Sequence, residues 1–202
     1  MKALEGVKIL DFTHVQSGPT CTQLLGWFGA DVIKVEHPVG GDPGRGSRLA
    51  NGFHYYHEAF NRGKKSMTLD LRAPGARDVF MKLVSWADVL TENFRPGYLD
   101  ENGFGYEDCK AVNPKIIYAS NSGFGPRGPW AERGSMDAVC QAMAGMTVAQ
   151  GGGPSHRPIL QENCPADQVG AMNFAFAIRA ALLHCERTGE GQKIETSQLG
   201  AW

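Results

Sequence analysis

Short apolar segments alternate with helix-compatible segments along the chain, and this alternation most constrains the fold. Val7–Asp11 and Asp31–Glu36 are apolar runs of strand length, and Thr20–Phe28 between them has apolar residues at helical spacing. Gly29 fits the end of that helix. A strand, a helix and a strand in this order predict a parallel pair joined by a right-handed crossover.

The same alternation continues through the rest of the chain. It predicts further strands at Lys65–Asp70, Ala87–Glu92, Lys115–Ser120 and Gln192–Gln198, and helices at Pro74–Ser85, Tyr106–Val112, Met136–Met146 and Asp167–Arg187. The fold class is therefore an α/β protein with an open, mainly parallel sheet and flanking helices. Ligands of such sheets bind at the carboxyl ends of the strands, where we expect loops 13–19, 37–48 and 93–97 to converge.

Charge and composition exclude several classes of function. The net charge of −1 gives no electrostatic basis for binding nucleic acid or an anionic membrane. The five cysteines have no CxxC spacing, which favours reduced thiols. The N-terminus lacks the apolar run of a signal peptide, and no segment is apolar enough over 18 residues to span a bilayer. A cytoplasmic location is expected, with neither nucleic acid nor membrane as a partner.

Familiar site motifs are absent. No GxGxxG precedes the strand at 31–36, no GxxxxGK[ST] phosphate loop occurs, and no GxSxG marks a serine nucleophile. His54 and His57 lie three residues apart, but no third ligand accompanies them, so we expect no metal site.

A basic cluster at residues 61–65 has two interpretations. Arg62, Lys64 and Lys65 directly precede a predicted strand, and Arg45 and Arg48 lie in an earlier loop. Such a cluster is either a solvated basic turn or a set of phosphate ligands.

Asp167 is the most informative acid in the chain. It is predicted to be the N-cap of a long helix whose next twenty residues carry almost no charge. An aspartate here is either a simple cap or a nucleophile, because the helix dipole keeps its carboxylate ionised and carboxylates can attack activated acyl groups.

Several segments together resemble the class III CoA-transferases, a group that includes formyl-CoA:oxalate and carnitine CoA-transferases and the α-methylacyl-CoA racemases. Each motif is weak alone, but their order is specific. The matching segments are Leu4–Asp11, Gln16–Pro19, Gly29–Glu36, Asn61–Ser66, Leu69–Leu71, Glu92–Gly97, Gly123–Gly125, Asp137, Gln141–Ala142 and Thr188–Gln192.

The resemblance implies a fold and a mechanism. The chain would be the N-terminal portion, residues 1–202, of a Rossmann-like large domain that binds CoA. Asp167 would form an acyl anhydride and then an aspartyl-CoA thioester, with Gln16 close to the reacting carbonyl. The resemblance also implies CoA contacts, which would be made by His14, Val15, Leu71, Asn93 and Phe94, with phosphate contacts from Arg62, Lys64, Lys65 and Arg95.

The resemblance further implies the ligands and the assembly. Acyl-CoA and a carboxylic acid would be substrates, with no tightly bound cofactor. The subunit would join an interlocked homodimer or a partner subunit. The family's chain is much longer, so its small domain and returning C-terminal segment are expected to be missing here.

Two positions depart from the family pattern. Glu101 stands where formyl-CoA transferase has an arginine that contacts CoA, and it would repel phosphate. Met136 stands where the racemases have a histidine, and methionine cannot carry the proton that racemisation must move. The sequence therefore favours a transferase. A racemase, another acyl-CoA isomerase and a non-catalytic CoA-binding fragment remain as alternatives, and the acyl donor and acceptor are not predicted.

Overall fold

The computed structural model describes residues 1–46 and 52–201 and contains one six-stranded sheet. Every neighbouring pair of strands is parallel, in the order β3-β2-β1-β4-β5-β6. The strands are β1 (Lys8–Asp11), β2 (Asp31–Glu36), β3 (Lys65–Thr68), β4 (Val89–Glu92), β5 (Ile117–Ser122) and β6 (Gln192–Ser197). The predicted α/β class and parallel sheet are confirmed.

Helices connect the strands. They are α1 (Ser17–Trp27), α2 (Tyr55–Asn61), α3 (Ala76–Trp86), α4 (Tyr98–Glu101), α5 (Tyr106–Val112), α6 (Asp137–Met143), α7 (Met146–Gln150) and α8 (Pro165–Thr188), with 3₁₀ turns at Pro43–Gly46 and Leu199–Ala201. In the part of the chain that the structure describes, no helix is both long and apolar enough to cross a membrane.

Some helices differ from the prediction. The sequence pattern did not predict α2 and α4, which have seven and four residues. The single helix predicted at Met136–Met146 is two helices, because Gly145 adopts a left-handed conformation with φ 76°. The loop predicted at 37–48 contains a 3₁₀ turn at Pro43–Gly46, and its last two residues, including Arg48, lie outside the described residues.

Alternate strand residues enter two hydrophobic cores, one on each face of the sheet. Ile9, Val89 and Ile117 face α1 and α8, whereas Leu10 and Leu90 face α3 and α5. Period-2 alternation of side chains produces this division, because successive residues of a strand point to opposite faces. The long helix α8 is thereby fixed against the sheet, with its N-terminus near the carboxyl ends of the strands.

The start of α8 corrects the predicted role of Asp167 as a cap. The helix begins at Pro165, so Asp167 is its third residue. Cys164 precedes the helix with a left-handed φ of 51° and makes no side-chain capping bond. Proline is favoured at the first helical position, where its missing N–H costs nothing. The helix ends at Thr188, and Gly189 follows it with φ 79°.

Two buried ion pairs fasten the carboxyl ends of β1 and β2. Lys64 Nζ lies 2.9 Å from Asp11 Oδ2, and Lys34 Nζ lies 2.8 Å from Asp42 Oδ2. Burial alone would raise the pKa of Asp11, but Lys64 and Lys34, with hydroxyl donors from Thr13, lower it far below its usual range. Asp11 is therefore ionised inside the protein and needs its cations.

These contacts change the expected roles of two lysines. The Lys64 ammonium group is enclosed by three oxygens, those of Asp11, the Pro19 carbonyl and the Asn61 amide. It stabilises the fold and cannot also bind a phosphate. Lys65, at the amino end of β3, forms an exposed pair with Asp31 at 2.7 Å. That pair lies at the opposite edge of the sheet from the carboxyl ends.

Neighbouring lysines provide a matched test of the buried pair. We expect Lys64→Ala to lower the free energy of unfolding by about 3 kcal/mol or more, because Asp11 would remain buried without its closest cation. Lys65→Ala should cost less than about 1 kcal/mol, because its pair is exposed. Urea unfolding followed by circular dichroism measures both. Equal losses in the two variants would contradict a structural role specific to Lys64.

Candidate active site at the switch point of the sheet

The strand order reverses direction between β1 and β4, and a pocket of about 220 Å³ lies at this point. The loops after β1 and β4 diverge there, which is where open parallel sheets bind ligands. Loops, α6 and α8 supply the lining: His14–Ser17, Asn93–Pro96, Asn121–Gly123, Arg133–Asp137, Asp167 and Gln198. The predicted convergence of loops 13–19 and 93–97 is therefore present.

The loop after β1 is held in a strained conformation. Val15 has φ 67°, which is unusual for a β-branched residue. Its N–H donates to both carboxylate oxygens of Asp42, at 3.0 and 3.3 Å, and Asp42 is paired with Lys34. Loop 37–46 thus contributes Asp42 as a support for the loop after β1. The strain directs the next residue, Gln16, into the pocket wall.

The loops after β1 and β4 bind each other directly. The His14 N–H donates to Asn93 Oδ1 at 2.7 Å, and Asn93 Nδ2 donates to the His14 carbonyl at 2.9 Å. The His14 ring packs edge-on against Phe94. Phe94 N–H donates to Glu92 Oε2 at 2.8 Å, although burial raises the pKa of Glu92 to about 7. The pocket wall is therefore one connected unit.

Asp167 and Asp137 form a buried pair of acids, and no cation from the described residues lies between them. Asp137 Oδ1 accepts a hydrogen bond from the Asp167 backbone N–H at 3.0 Å, and so it performs the capping that Cys164 does not. Asp137 Oδ2 accepts from the Gln141 amide. Gln198 Nε2 donates to Asp167 Oδ1. Asp167 Oδ2 accepts no hydrogen bond from the described residues, and Asp167 lines the pocket.

Burial, together with the nearby charge of Asp137, raises the pKa of Asp167 to about 6, and the hydrogen bond from Gln198 opposes both effects. A carboxylate in this position is ionised at neutral pH but poorly solvated. Poor solvation of the charged form favours a reaction that transfers the charge to another group. The arrangement suits a nucleophile better than a structural acid.

Several of the residues expected at the site lie together in the structure. Seven of them line this pocket: Asp167, Gln16, His14, Val15, Asn93, Phe94 and Arg95. Leu71 lines a second pocket of about 130 Å³ that shares His14 and Phe94 with the first. The two pockets are therefore contiguous through the His14–Phe94 contact.

The predicted phosphate ligands are not gathered at either pocket. Lys64 and Lys65 make the contacts described above, and Arg62 lies over the ring of Trp27 at 5.8 Å. Arg95 does line the first pocket, but its guanidinium pairs with Glu101 at 2.6 Å. Glu101, the acid that departs from the family pattern, thus pairs with one of the arginines that line the pocket.

The sequence pattern did not identify four residues that support the site, namely Asp42, Tyr56, Gln198 and Arg133. Arg133 lines the pocket and stacks on Trp130 at 4.7 Å. Among the described residues, Arg133 has no carboxylate partner. Tyr56 donates its hydroxyl hydrogen to Gln16 Oε1 at 2.8 Å. Tyr56 could not be placed from sequence, because α2 was not predicted.

Three potential metal ligands lie close together at the pocket. Ligand atoms of Asp137, Cys164 and Asp167 are within 4.8 Å of one another. However, both oxygens of Asp137 and one oxygen of Asp167 already accept hydrogen bonds from protein groups. These contacts organise the acids as a polar network.

Comparisons with known proteins agree with this geometry. The family model described as CoA-transferase family III matches residues 4–202. Formyl-CoA:oxalate CoA-transferases from Bradyrhizobium sp. and Afipia carboxidovorans are 46% and 44% identical over 195 residues; each match covers 96% of this chain but only 45% and 46% of the relative.

Solved structures also match nearly all of this chain and about half of the other protein. A CAIB/BAIF family protein from Brucella suis superposes with a TM-score of 0.92 at 38% identity, covering 99% of this chain and 54% of that protein. Rv3272 from Mycobacterium tuberculosis gives a TM-score of 0.91 at 37% identity, with 99% and 56% covered. The chain thus spans about half the length of the relatives that it matches.

The raised pKa of Asp167 predicts a pH-dependent gain in stability for Asp167→Asn. At pH 4 the carboxyl is protonated in the folded protein and only partly ionised in the unfolded protein, so the wild type and the asparagine variant should differ in stability by less than about 1 kcal/mol. Between pH 4 and pH 6 the unfolded wild type ionises while the buried acid beside Asp137 does not, so the difference grows, and it becomes constant above the folded pKa. We expect the asparagine variant to be more stable by about 2 kcal/mol at pH 8.

Urea unfolding at pH 4, 6 and 8 measures this difference. Glu186→Gln, an exposed carboxylate on the same helix, is the control and should change stability by less than about 0.5 kcal/mol at each pH. An asparagine variant that is less stable than the wild type at pH 8 would contradict the description of Asp167.

Proposed function

The chain belongs to CoA-transferase family III, and on this premise we propose that it carries the CoA-binding and nucleophilic half of an acyl-CoA:carboxylate CoA-transferase. One observation carries the proposal. Asp167 lies in the pocket at the switch point, buried beside another carboxylate, with Oδ1 hydrogen-bonded and Oδ2 accepting no hydrogen bond from the described residues. The free oxygen is the one that would attack a thioester.

The proposed reaction begins at the carbonyl carbon of the donor thioester. Asp167 Oδ2 forms a bond to that carbon, the carbon–sulfur bond breaks, and CoA leaves as a thiolate. The thiolate then attacks the aspartyl carbonyl of the mixed anhydride and releases the donor acid as a carboxylate. The remaining aspartyl-CoA thioester keeps the energy of the original thioester on the protein.

Transfer to the acceptor repeats these steps in reverse. An acceptor carboxylate attacks the aspartyl-CoA thioester, which gives a second anhydride and the CoA thiolate. The thiolate attacks the acceptor's acyl carbon, and Asp167 leaves as a carboxylate. Gln16 lines the same pocket, where an amide N–H can stabilise the negative oxygen that forms in each addition.

The two contiguous pockets support binding of an elongated CoA ester. CoA is proposed to extend from the pocket that contains Leu71, past His14 and Phe94, to Asp167. Arg133 is the cation of the first pocket that has no carboxylate partner in the described part of the chain, and with Arg95 it is a candidate for binding phosphate. CoA acts here as substrate and product, and no tightly bound cofactor is proposed.

Formyl-CoA and oxalate are the first substrate pair to test, because the curated relatives at 44% to 46% identity are named for them. The pocket beside Asp167 has a volume of about 220 Å³, which suits a short acyl group. Because the chain spans about half of those relatives, residues from a longer chain or a partner subunit are proposed to complete the acceptor site, as an interlocked dimer would.

The exchange of an α-hydrogen is the main alternative reaction, and it needs two acid–base groups around the α-carbon. The exposed side chain of Met136 lines the pocket directly before Asp137 and carries no proton. This residue favours transfer over racemisation. Binding of CoA alone would not require a buried carboxyl group with a raised pKa, such as that of Asp167.

Trapping with hydroxylamine tests the nucleophile. We expect formyl-CoA plus hydroxylamine to convert Asp167 into a hydroxamate, with a mass gain of about 15 Da on the peptide that contains it. Since the chain spans about half of its relatives, the test uses the protein in the length made by its source organism. Intact and peptide mass spectrometry provide the readout.

Two variants serve as controls for the trap. Asp167→Asn should show no mass gain, whereas Glu186→Gln should react like the wild type. No mass gain in the wild type with formyl-CoA, oxalyl-CoA and succinyl-CoA, although CoA binds, would overturn the transferase proposal. Exchange of the α-proton in deuterium oxide would then identify an isomerase.

A further inference from the structure

Tyr56 is a half-buried link between α2 and the pocket wall that the reaction scheme does not use. Its hydroxyl lies 2.8 Å from Gln16 Oε1, and Gln16 is only 4% exposed. Burial raises the pKa of Tyr56 far above its usual value, and the charge of Asp167 raises it further. The hydroxyl therefore keeps its proton and acts as the donor in this hydrogen bond.

The Tyr56 ring is held on two sides. The Phe60 ring packs against it edge-on, with centroids 5.0 Å apart. On the other side lies Gly44, where an added Cβ would come within 3.2 Å of the ring. The Gly44 turn is itself fixed, because Asp42 accepts the Gly44 N–H at 2.7 Å and also holds Val15. The hydroxyl is thus presented to Gln16 from a rigid support.

This hydrogen bond determines which end of the Gln16 amide faces the pocket. An amide has one oxygen that accepts and one NH₂ group that donates. Since Oε1 is bound to Tyr56, Nε2 is the free end, and it has no hydrogen-bond partner among residues 1–46 and 52–201. Gln16 lines the pocket that contains Asp167.

We infer that Tyr56 is a positioning residue that holds Gln16 with its NH₂ group toward the reacting carbonyl oxygen, without itself touching substrate. The inference rests on the proposed function, because it concerns the oxygen that becomes negative when Asp167 attacks. A reversed amide would direct its carbonyl oxygen at that charge and replace attraction with repulsion. A preorganised donor at such an oxygen changes the rate about 10²- to 10³-fold in other enzymes.

The test compares two adjacent tyrosines. Tyr56→Phe removes the hydroxyl and keeps the ring that packs between Phe60 and Gly44, whereas Tyr55→Phe removes the hydroxyl of an exposed neighbour. In the native-length protein, we expect Tyr56→Phe to slow hydroxamate formation from formyl-CoA about tenfold, roughly the effect of one neutral hydrogen bond. The KM for formyl-CoA should change less than twofold, and Tyr55→Phe should match the wild type.

A double-mutant cycle separates positioning from general damage. In a Gln16→Ala background, Tyr56→Phe should cause no further loss of rate, because there is no amide left to orient. An equal loss in both backgrounds would overturn the inference, and so would an unchanged rate in Tyr56→Phe. A raised KM with unchanged kcat would also overturn it, because Tyr56 would then contact substrate.

A second measurement does not depend on the reaction. The side-chain NH₂ signals of Gln16, identified by their loss in Gln16→Ala, should shift in the nitrogen–proton NMR spectrum of Tyr56→Phe and stay in place in Tyr55→Phe. Unchanged signals would overturn the positioning role. If the wild type forms no hydroxamate while these signals do shift, the proposed function fails and the orientation of Gln16 stands.

Discussion

Two buried lysine–carboxylate pairs are the constraint on which the rest of the site depends. Asp11 ends β1 and binds Lys64, while Lys34 of β2 binds Asp42 from the following turn. The first pair joins residues 53 positions apart in sequence and the second joins a strand to the turn that follows it, and neither can be broken without leaving a charge in the interior. Because Asp42 also holds Val15, the second pair transmits its rigidity directly to the pocket wall.

Asp167 in the pocket differs from the two paired acids in the charge of its neighbour and in the direction of its pKa shift. Asp11 and Asp42 have lysines as neighbours, and those lysines lower their pKa values against the effect of burial. Asp167 has another carboxylate as its neighbour, and its pKa is raised. The same fold therefore contains carboxylates stabilised as ions and, at Asp167, a carboxylate whose charged form is disfavoured. That difference separates Asp11 and Asp42, which support the structure, from the acid proposed to react.

Much of the fold could be predicted from sequence because it follows local periodicity. The six strands and the helices α1, α3, α5 and α8 have apolar patterns that match their periods. The short α2 depends on tertiary contacts for its stability, so its sequence has no apolar periodicity from which a helix could be predicted. The convergence of the loops after β1 and β4 follows from the strand order, whereas the individual site residues in those loops were expected from the family resemblance. The contacts of the basic cluster could not be predicted, because only the structure shows that Lys64 binds Asp11 and Arg62 lies on Trp27.

The hydrogen bond from Gln198 to Asp167 has a consequence for the order in which the protein is made. Gln198 follows β6 and lies 31 positions after Asp167, the proposed nucleophile. On the ribosome, Asp167 therefore emerges well before the amide that fixes its Oδ1, and before β6 can pair with β5. A nascent chain that already contains Asp167, Gln16 and Tyr56 still lacks the contact that orients the Asp167 carboxylate. Translation must therefore pass residue 198 before the pocket wall around Asp167 can be complete.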